Sequence, residues 1–161
     1  MKRIVNMRVL AFLLLILPGR LIAQSCENYH LDGDCQYDIR RDHKLYSQSH
    51  SSIISPLDTV EFNVVFYGQK DYILSFCTHK NLYPIHFVLI DEQSKQVLYD
   101  NKDDDYLESL GLGFDVAKPM IIRVDVIAKL STEEEIMDKV GCMGLLIQYK
   151  NYPKKKVNLQ L

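Results

Sequence analysis

The chain has 161 residues, with 47% hydrophobic and 25% charged side chains and a formal net charge of −2, which is room for one domain with a sizeable core. A cut after residue 23 would remove Lys2, Arg3, Arg8 and Arg20 and no acid, taking the net charge from −2 to −6. So acidic a domain repels phosphate backbones, which argues against nucleic acid as a partner.

The first 23 residues have the layout of a secretory signal peptide. A basic start leads into an apolar run from Val9 to Leu17, then Pro18-Gly19 and the small residue Ala23 before Gln24. The run is short for a bilayer span, and Arg20 interrupts any extension of it, so no transmembrane segment is expected in the mature chain. A lipoprotein form anchored at Cys26 is the weaker reading, because Ala23, Gln24 and Ser25 match the lipidation pattern poorly.

All four cysteines, Cys26, Cys35, Cys77 and Cys142, follow the leader, and an even count in an exported chain reads as two disulfides. The expected pairing is Cys26 with Cys35, closing a small loop around Leu31-Asp32-Gly33-Asp34, and Cys77 with Cys142, which share strand parity. A metal site is the rival, and no CxxC pair supports it.

Residues 24–57 read as an irregular N-terminal cap followed by an edge strand over His43–Ile54, closed by the turn Ser55-Pro56-Leu57-Asp58. The core of the domain is then 58–161. Val60 to Cys77 reads as a β-hairpin turning at Gly68-Gln69-Lys70-Asp71, with Val60, Phe62, Val64 and Phe66 alternating on one side and Tyr72, Leu74 and Phe76 continuing it. Ile85 to Ile90 is apolar on both faces and pairs through an Asp91–Ser94 turn with Gln96–Tyr99.

Beyond the acidic loop Asp100–Asp105, Leu110, Leu112, Phe114 and Val116 alternate with Gly111, Gly113 and Asp115, a strand with a bare outer face. Lys118-Pro119 turns the chain into Met120–Ile127, with Arg123 and Asp125 facing out. Ser131–Val140 is the one helix expected, with Ser131 and Glu134 as a capping box and Gly141 as its stop. Met143, Leu145, Ile147 and Tyr149 mark a late strand, and Val157, Leu159 and Leu161 a short last one after the basic residues Lys154–Lys156.

Seven to eight short strands with one small helix predict an all-β fold, an antiparallel, jelly-roll-like β-sandwich. The order DYILSFC, IHFVLIDEQSKQVLYDN, GLGFDV, MIIRVDV and GLLIQY resembles the bacterial pre-peptidase C-terminal-like (PPC-type) β-sandwich over Asp58–Tyr149. That resemblance implies a non-catalytic module of secreted proteins.

Calcium could use oxygen ligands from Asp100, Asn101, Asp103 and Asp105, although the EF-hand spacing is absent; the bland alternative is a solvated loop. The five histidines are scattered, with no HxH or HExxH. No GxSxG, Walker loop or SxxK is present, so no enzyme is expected. The expectation is an exported, non-catalytic binding or scaffolding protein of a Gram-negative bacterial envelope, periplasmic or at the cell surface. It would meet another envelope protein or a surface polymer through an open sheet edge or a tyrosine-rich face. The alternative is a calcium-dependent binder of carbohydrate or lipid using Asp100–Asp105.

Overall fold

The computed structural model describes residues 26–32, 35, 39–56, 58–127 and 140–152. The leader, the helix expected at Ser131–Val140 (all but its last residue) and the strand expected at Val157–Leu161 lie outside them. In chain order the elements are a one-turn helix α1 (Tyr29–Asp32), β1 (Lys44–Leu45), β2 (His50–Ile54), β3 (Thr59–Phe66), β4 (Lys70–Thr78), β5 (Ile85–Asp91), β6 (Val97–Asp100), β7 (Ser109–Phe114), β8 (Lys118–Val126) and β9 (Gly141–Asn151). Short 3-10 turns follow β4 (Lys80–Leu82) and β6 (Asn101–Asp104). No described helix is long and apolar enough to cross a membrane.

Two antiparallel sheets form the expected sandwich. One runs β1-β9-β4-β7, with β2 also on β9; the other runs β3-β8-β5-β6. Period-two patterning builds the core between them. Phe62, Val64 and Phe66 meet Tyr72, Leu74 and Phe76 across the layer, with Met120, Ile122 and Val124 beside the first set and Met143, Leu145 and Ile147 beside the second. Burying side chains of this size stabilises by about 1.5–3 kcal/mol each before conformational entropy is set against it.

The hairpin expected from Val60 to Cys77 is corrected. β3 pairs with β8 and β4 pairs with β7 and β9, so the turn at Tyr67–Gln69 carries the chain from one sheet to the other. The alternation cannot separate the two cases, because strands facing each other across a core carry the same inward pattern as strands side by side. Gly68 allows the crossing to pack: a Cβ there would lie 2.4 Å from the Asp115 carbonyl oxygen.

The single edge strand expected over His43–Ile54 is two pieces, β1 and β2, both on β9. Ser49 holds the break between them, accepting from the Ile147 N–H at 2.9 Å while its hydroxyl reaches the Tyr46 carbonyl at 2.9 Å. Val116 is not an inward residue: it lies past the end of β7 and is 72% exposed. Pro119 lies inside β8, opposite Val65, and not in a turn. The β5–β6 hairpin is as expected, with a register shift between Leu89 and Ile90.

The cysteine pairing is also corrected. The bonds join Cys26 to Cys142 and Cys35 to Cys77. Cys77 and Cys142 do share the outer face of the first sheet, but Cys77 stands opposite Gly144, two residues along β9 from Cys142. The N-terminal segment lies over that face and supplies each with its own partner. It covers Leu146 with Tyr29 and Leu31 and comes down hard on Gly144, where a Cβ would sit 2.8 Å from the His30 Cα and 3.0 Å from the Cys35 sulfur. With sequence separations of 116 and 42 residues, the two bridges stabilise by about 5 and about 4 kcal/mol in the chain-entropy account.

Candidate functional site

The N-terminal segment covers half of the outer face of the first sheet. The other half, over β9, β4 and β7, is an open groove of about 530 Å³. Its floor is Ile73, Gly111 and Gly113, and its far wall carries Arg40, His43 and Lys150. Asp71 stands beside Gly113 with Tyr152, whose hydroxyl lies 2.8 Å from where a Gly113 Cβ would be.

Gly113 is therefore a glycine with a packing reason. Gly111 has none. No heavy atom lies within 4 Å of a Cβ built there, and no described glycine has a positive φ that would exclude a side chain. Glycine in a strand costs about 0.5–1 kcal/mol relative to alanine through backbone entropy, so an unforced glycine marks a place where something approaches the backbone closely.

The groove wall is fixed from below. Arg40 is anchored by its main chain, whose N–H donates to the Gln148 side-chain oxygen at 2.8 Å; Gln148 is fully buried on β9. The Arg40 guanidinium has no hydrogen-bond or ion-pair partner among the described residues. Asp42 receives Lys150 Nζ at 3.0 Å on one carboxylate oxygen and pairs with His43 Nδ1 at 2.7 Å through the other. The Lys150 hydrogen bond first, and His43 second, pull the Asp42 carboxyl from the usual 3.8 down to about 2. Asp42 thus holds the Lys150 ammonium and the His43 ring at the groove wall.

The acidic loop is built around a buried amide. Asn101 is fully buried, accepting from the Phe87 N–H at 2.9 Å and donating to the carbonyls of Ile85 at 3.0 Å and Leu107 at 3.2 Å. The amide is thus spent on three backbone groups inside the fold, whereas the sequence expectation placed it among surface ligands. Asp100 caps the 3-10 turn through the Lys102 N–H at 2.9 Å and meets His86 Nε2 at 3.0 Å. The Lys102 N–H, followed by His86, lowers the Asp100 carboxyl. Asp103 belongs to the 3-10 turn, and Asp105 follows it in the left-handed region at φ 52°. Among the described residues no group of three or more His, Cys, Asp or Glu converges as metal ligands would.

The histidines are tied to local partners. His86 lies between Asp100 and Asp125, which approaches Nδ1 at 2.7 Å, on the outer face of the second sheet. The carboxylates face opposite ring nitrogens, so the three do not converge on one point. His30 Nδ1 meets Ser51 Oγ at 2.7 Å, but that oxygen also accepts the His30 main-chain N–H at 2.9 Å. The serine clips α1 onto β2, a tether for the N-terminal segment. His50 stacks on Phe62. Cys77 is joined to Cys35 and does not combine with His79.

The tyrosines do not share one face. Tyr46 and Tyr72 are buried in a cluster with Phe66 and Tyr149, and burial pushes the Tyr46 hydroxyl up to about 12. Tyr99 gives its hydroxyl to Asp104 at 2.7 Å. Lys154–Lys156 lie outside the described residues, whereas Lys150 belongs to the groove. Sequence reasoning saw the bare face of β7 but did not join it to Arg40 and His43, which lie 70 residues upstream and reach the groove only through the N-terminal segment's path over β9.

No family model matches the chain, and no curated protein matches it. Among solved structures, a crystal structure of Aeromonas hydrophila PliG, described as a periplasmic lysozyme inhibitor of g-type lysozyme, is similar over 70% of this chain and 91% of its own, with 8% identity and a TM-score of 0.45. A likeness this distant says nothing of what the present chain binds.

Proposed function

We propose that the protein is an exported, non-catalytic binding module whose recognition site is the groove over β4, β7 and β9. Export is supported by the leader pattern and by two long-range disulfides, which persist in oxidising compartments. Binding without chemistry is supported by the groove itself, an open concavity where Arg40, His43, Lys150, Asp71 and Ile73 surround Gly111 and Gly113 and no Ser, Thr or Cys lies among the lining residues. The observation that carries the reading is Gly111, a strand glycine required by neither dihedral nor packing, at the floor of an open groove.

The test is affinity capture from the exported fraction of the native cells, with the wild-type protein and Gly111→Trp side by side. Tryptophan there fills the groove without striking any neighbouring atom at its Cβ. A partner retained by wild type and lost from Gly111→Trp is the expected result. Equal retention by a folded Gly111→Trp places the interaction elsewhere.

A further inference from the structure

We infer that the chain's own C-terminal residues, Val157–Leu161, add to the free edge of β7 as a tenth strand. The proposal concerns the sheet edge and stands or falls apart from the groove reading.

The edge is open in the main chain. The Phe76 N–H donates to the Glu108 carbonyl and the Gln69 N–H to the Phe114 carbonyl, so the even-numbered residues of β7 turn their polar groups to β4. Ser109, Gly111 and Gly113 turn theirs away from it, and among the described residues no strand but β4 pairs with β7. On the inner side Leu110, Leu112 and Phe114 pack against the core yet are only partly buried. The edge of β3, by contrast, is closed at Val65, whose N–H is taken by the Gln48 side-chain oxygen at 2.8 Å and whose carbonyl is taken by the Tyr46 hydroxyl. Closing an edge is how a sheet avoids stray pairing, and β7 lacks such a closure among the described residues.

The chain leaves the described residues where it can supply one. Tyr152 prolongs β9 alongside β4, its N–H donating to the Gln69 carbonyl at 3.1 Å. It also leans toward β7: its hydroxyl bonds to Asp71 and lies 2.8 Å from where a Gly113 Cβ would be. A strand beyond β7 is three strand spacings from β9, about 14 Å, and the chain from Tyr152 to Val157 can span about 17 Å. β9 and β7 are both antiparallel to β4, so a chain that turns back after Tyr152 runs antiparallel to β7.

The sequence of that segment fits the edge. After Lys154–Lys156 the apolar residues Val157, Leu159 and Leu161 alternate with Asn158 and Gln160. With Val157 beside Phe114, Leu159 beside Leu112 and Leu161 beside Leu110, the apolar side chains complete the inner face. Asn158 and Gln160 then exchange main-chain hydrogen bonds with Gly113 and Gly111, the residues whose polar groups point to the free edge. The crossing suits the lysines, because it passes Asp71 and Asp115, two exposed carboxylates beside the Tyr152 hydroxyl. Lys150, the neighbour of Asp71 on β9, is already taken by Asp42. A second copy or a foreign peptide lacks the tether at Tyr152, which makes pairing by the chain's own tail an intramolecular event.

The experiment is NMR on the full, isotopically labelled chain. An Hα–Hα contact between Leu159 and Leu112 is expected, with slow amide exchange at Gly111 and Gly113. That exchange should speed up at least tenfold in Leu159→Asp, and in Asn158→Pro, which loses an N–H turned to β7. Gly111 and Gly113 amides that exchange in wild type as fast as exposed loop amides overturn the proposal. So does protection that survives both variants, which assigns the edge to a copurifying partner. A Leu159–Leu112 contact seen only between differently labelled copies also overturns it, because the edge then serves a second copy. Capture with Gly111→Trp reports on the groove separately. Partner loss there, with Leu159 away from Leu112 in wild type, sinks the tenth strand and keeps the groove; partner retention with the contact intact does the reverse.

Discussion

Asn101 joins three backbone groups that would otherwise be unpaired at the join of β5 with the acidic loop: the Phe87 N–H and the carbonyls of Ile85 and Leu107. Replacing it with alanine leaves buried polar groups unsatisfied, at about 1–3 kcal/mol for each. Asn101→Ala should therefore lower unfolding stability in urea by at least about 2 kcal/mol, whereas Asp103→Ala, in the same loop, should change little. Charge acts at this scale too. The Lys118 ammonium at 2.7 Å, helped by the Ser94 N–H, holds the Asp91 carboxyl well below the usual carboxylate range. A folded-state value below the unfolded one contributes stability that is present above about pH 4 and is lost as the pH falls further. Acid unfolding monitored below pH 4 should be less steep in Lys118→Met than in wild type.

At the scale of the element, β7 and the acidic loop show what alternation can and cannot tell. β3, β7 and β8 left the clearest mark in the sequence, because one face of each is more buried than the other and a period of two records that. Which strand lies beside which did not, and β3 with β4 is the example: Phe62–Phe66 and Tyr72–Phe76 would read identically in a hairpin. The cysteines repeat the point. Parity placed Cys77 and Cys142 on one outer face, but only the path of the N-terminal segment decides that each is taken by a newcomer. Proteolytic mapping without reduction should recover fragments joining Cys26 to Cys142 and Cys35 to Cys77, and Cys35→Ser with Cys77→Ser should cost about 4 kcal/mol of stability. The loop carried the opposite ambiguity: acidic residues in a row suggest a cation, while the buried amide among them is invisible to composition. Calcium at millimolar concentration should leave the melting temperature unchanged, since a ligand bound to the folded state alone would raise it.

Across the whole molecule, the outer face of the first sheet is divided in two. One half is covered by a segment held by two disulfides, the Ser51 clip and close packing on Gly144. The other is left open above a strand that ends the sheet, with the segment's last residues, Arg40 to His43, forming the wall between them. The covering therefore does two things: it buries Leu146 and it brings Arg40 to the groove. Nothing in local sequence pattern links Arg40 to Gly111, which is why the site emerged only when the layers were in place. The account turns on Gly111 being kept for what approaches it and not for the fold, and urea unfolding of Gly111→Val addresses that directly. A strand position that tolerates a side chain should be as stable as wild type or more so by about 0.5–1 kcal/mol with valine there. A loss of more than about 1 kcal/mol, on the scale of an ordinary damaging substitution, would make the glycine structural and remove the reason for placing a binding site on β7.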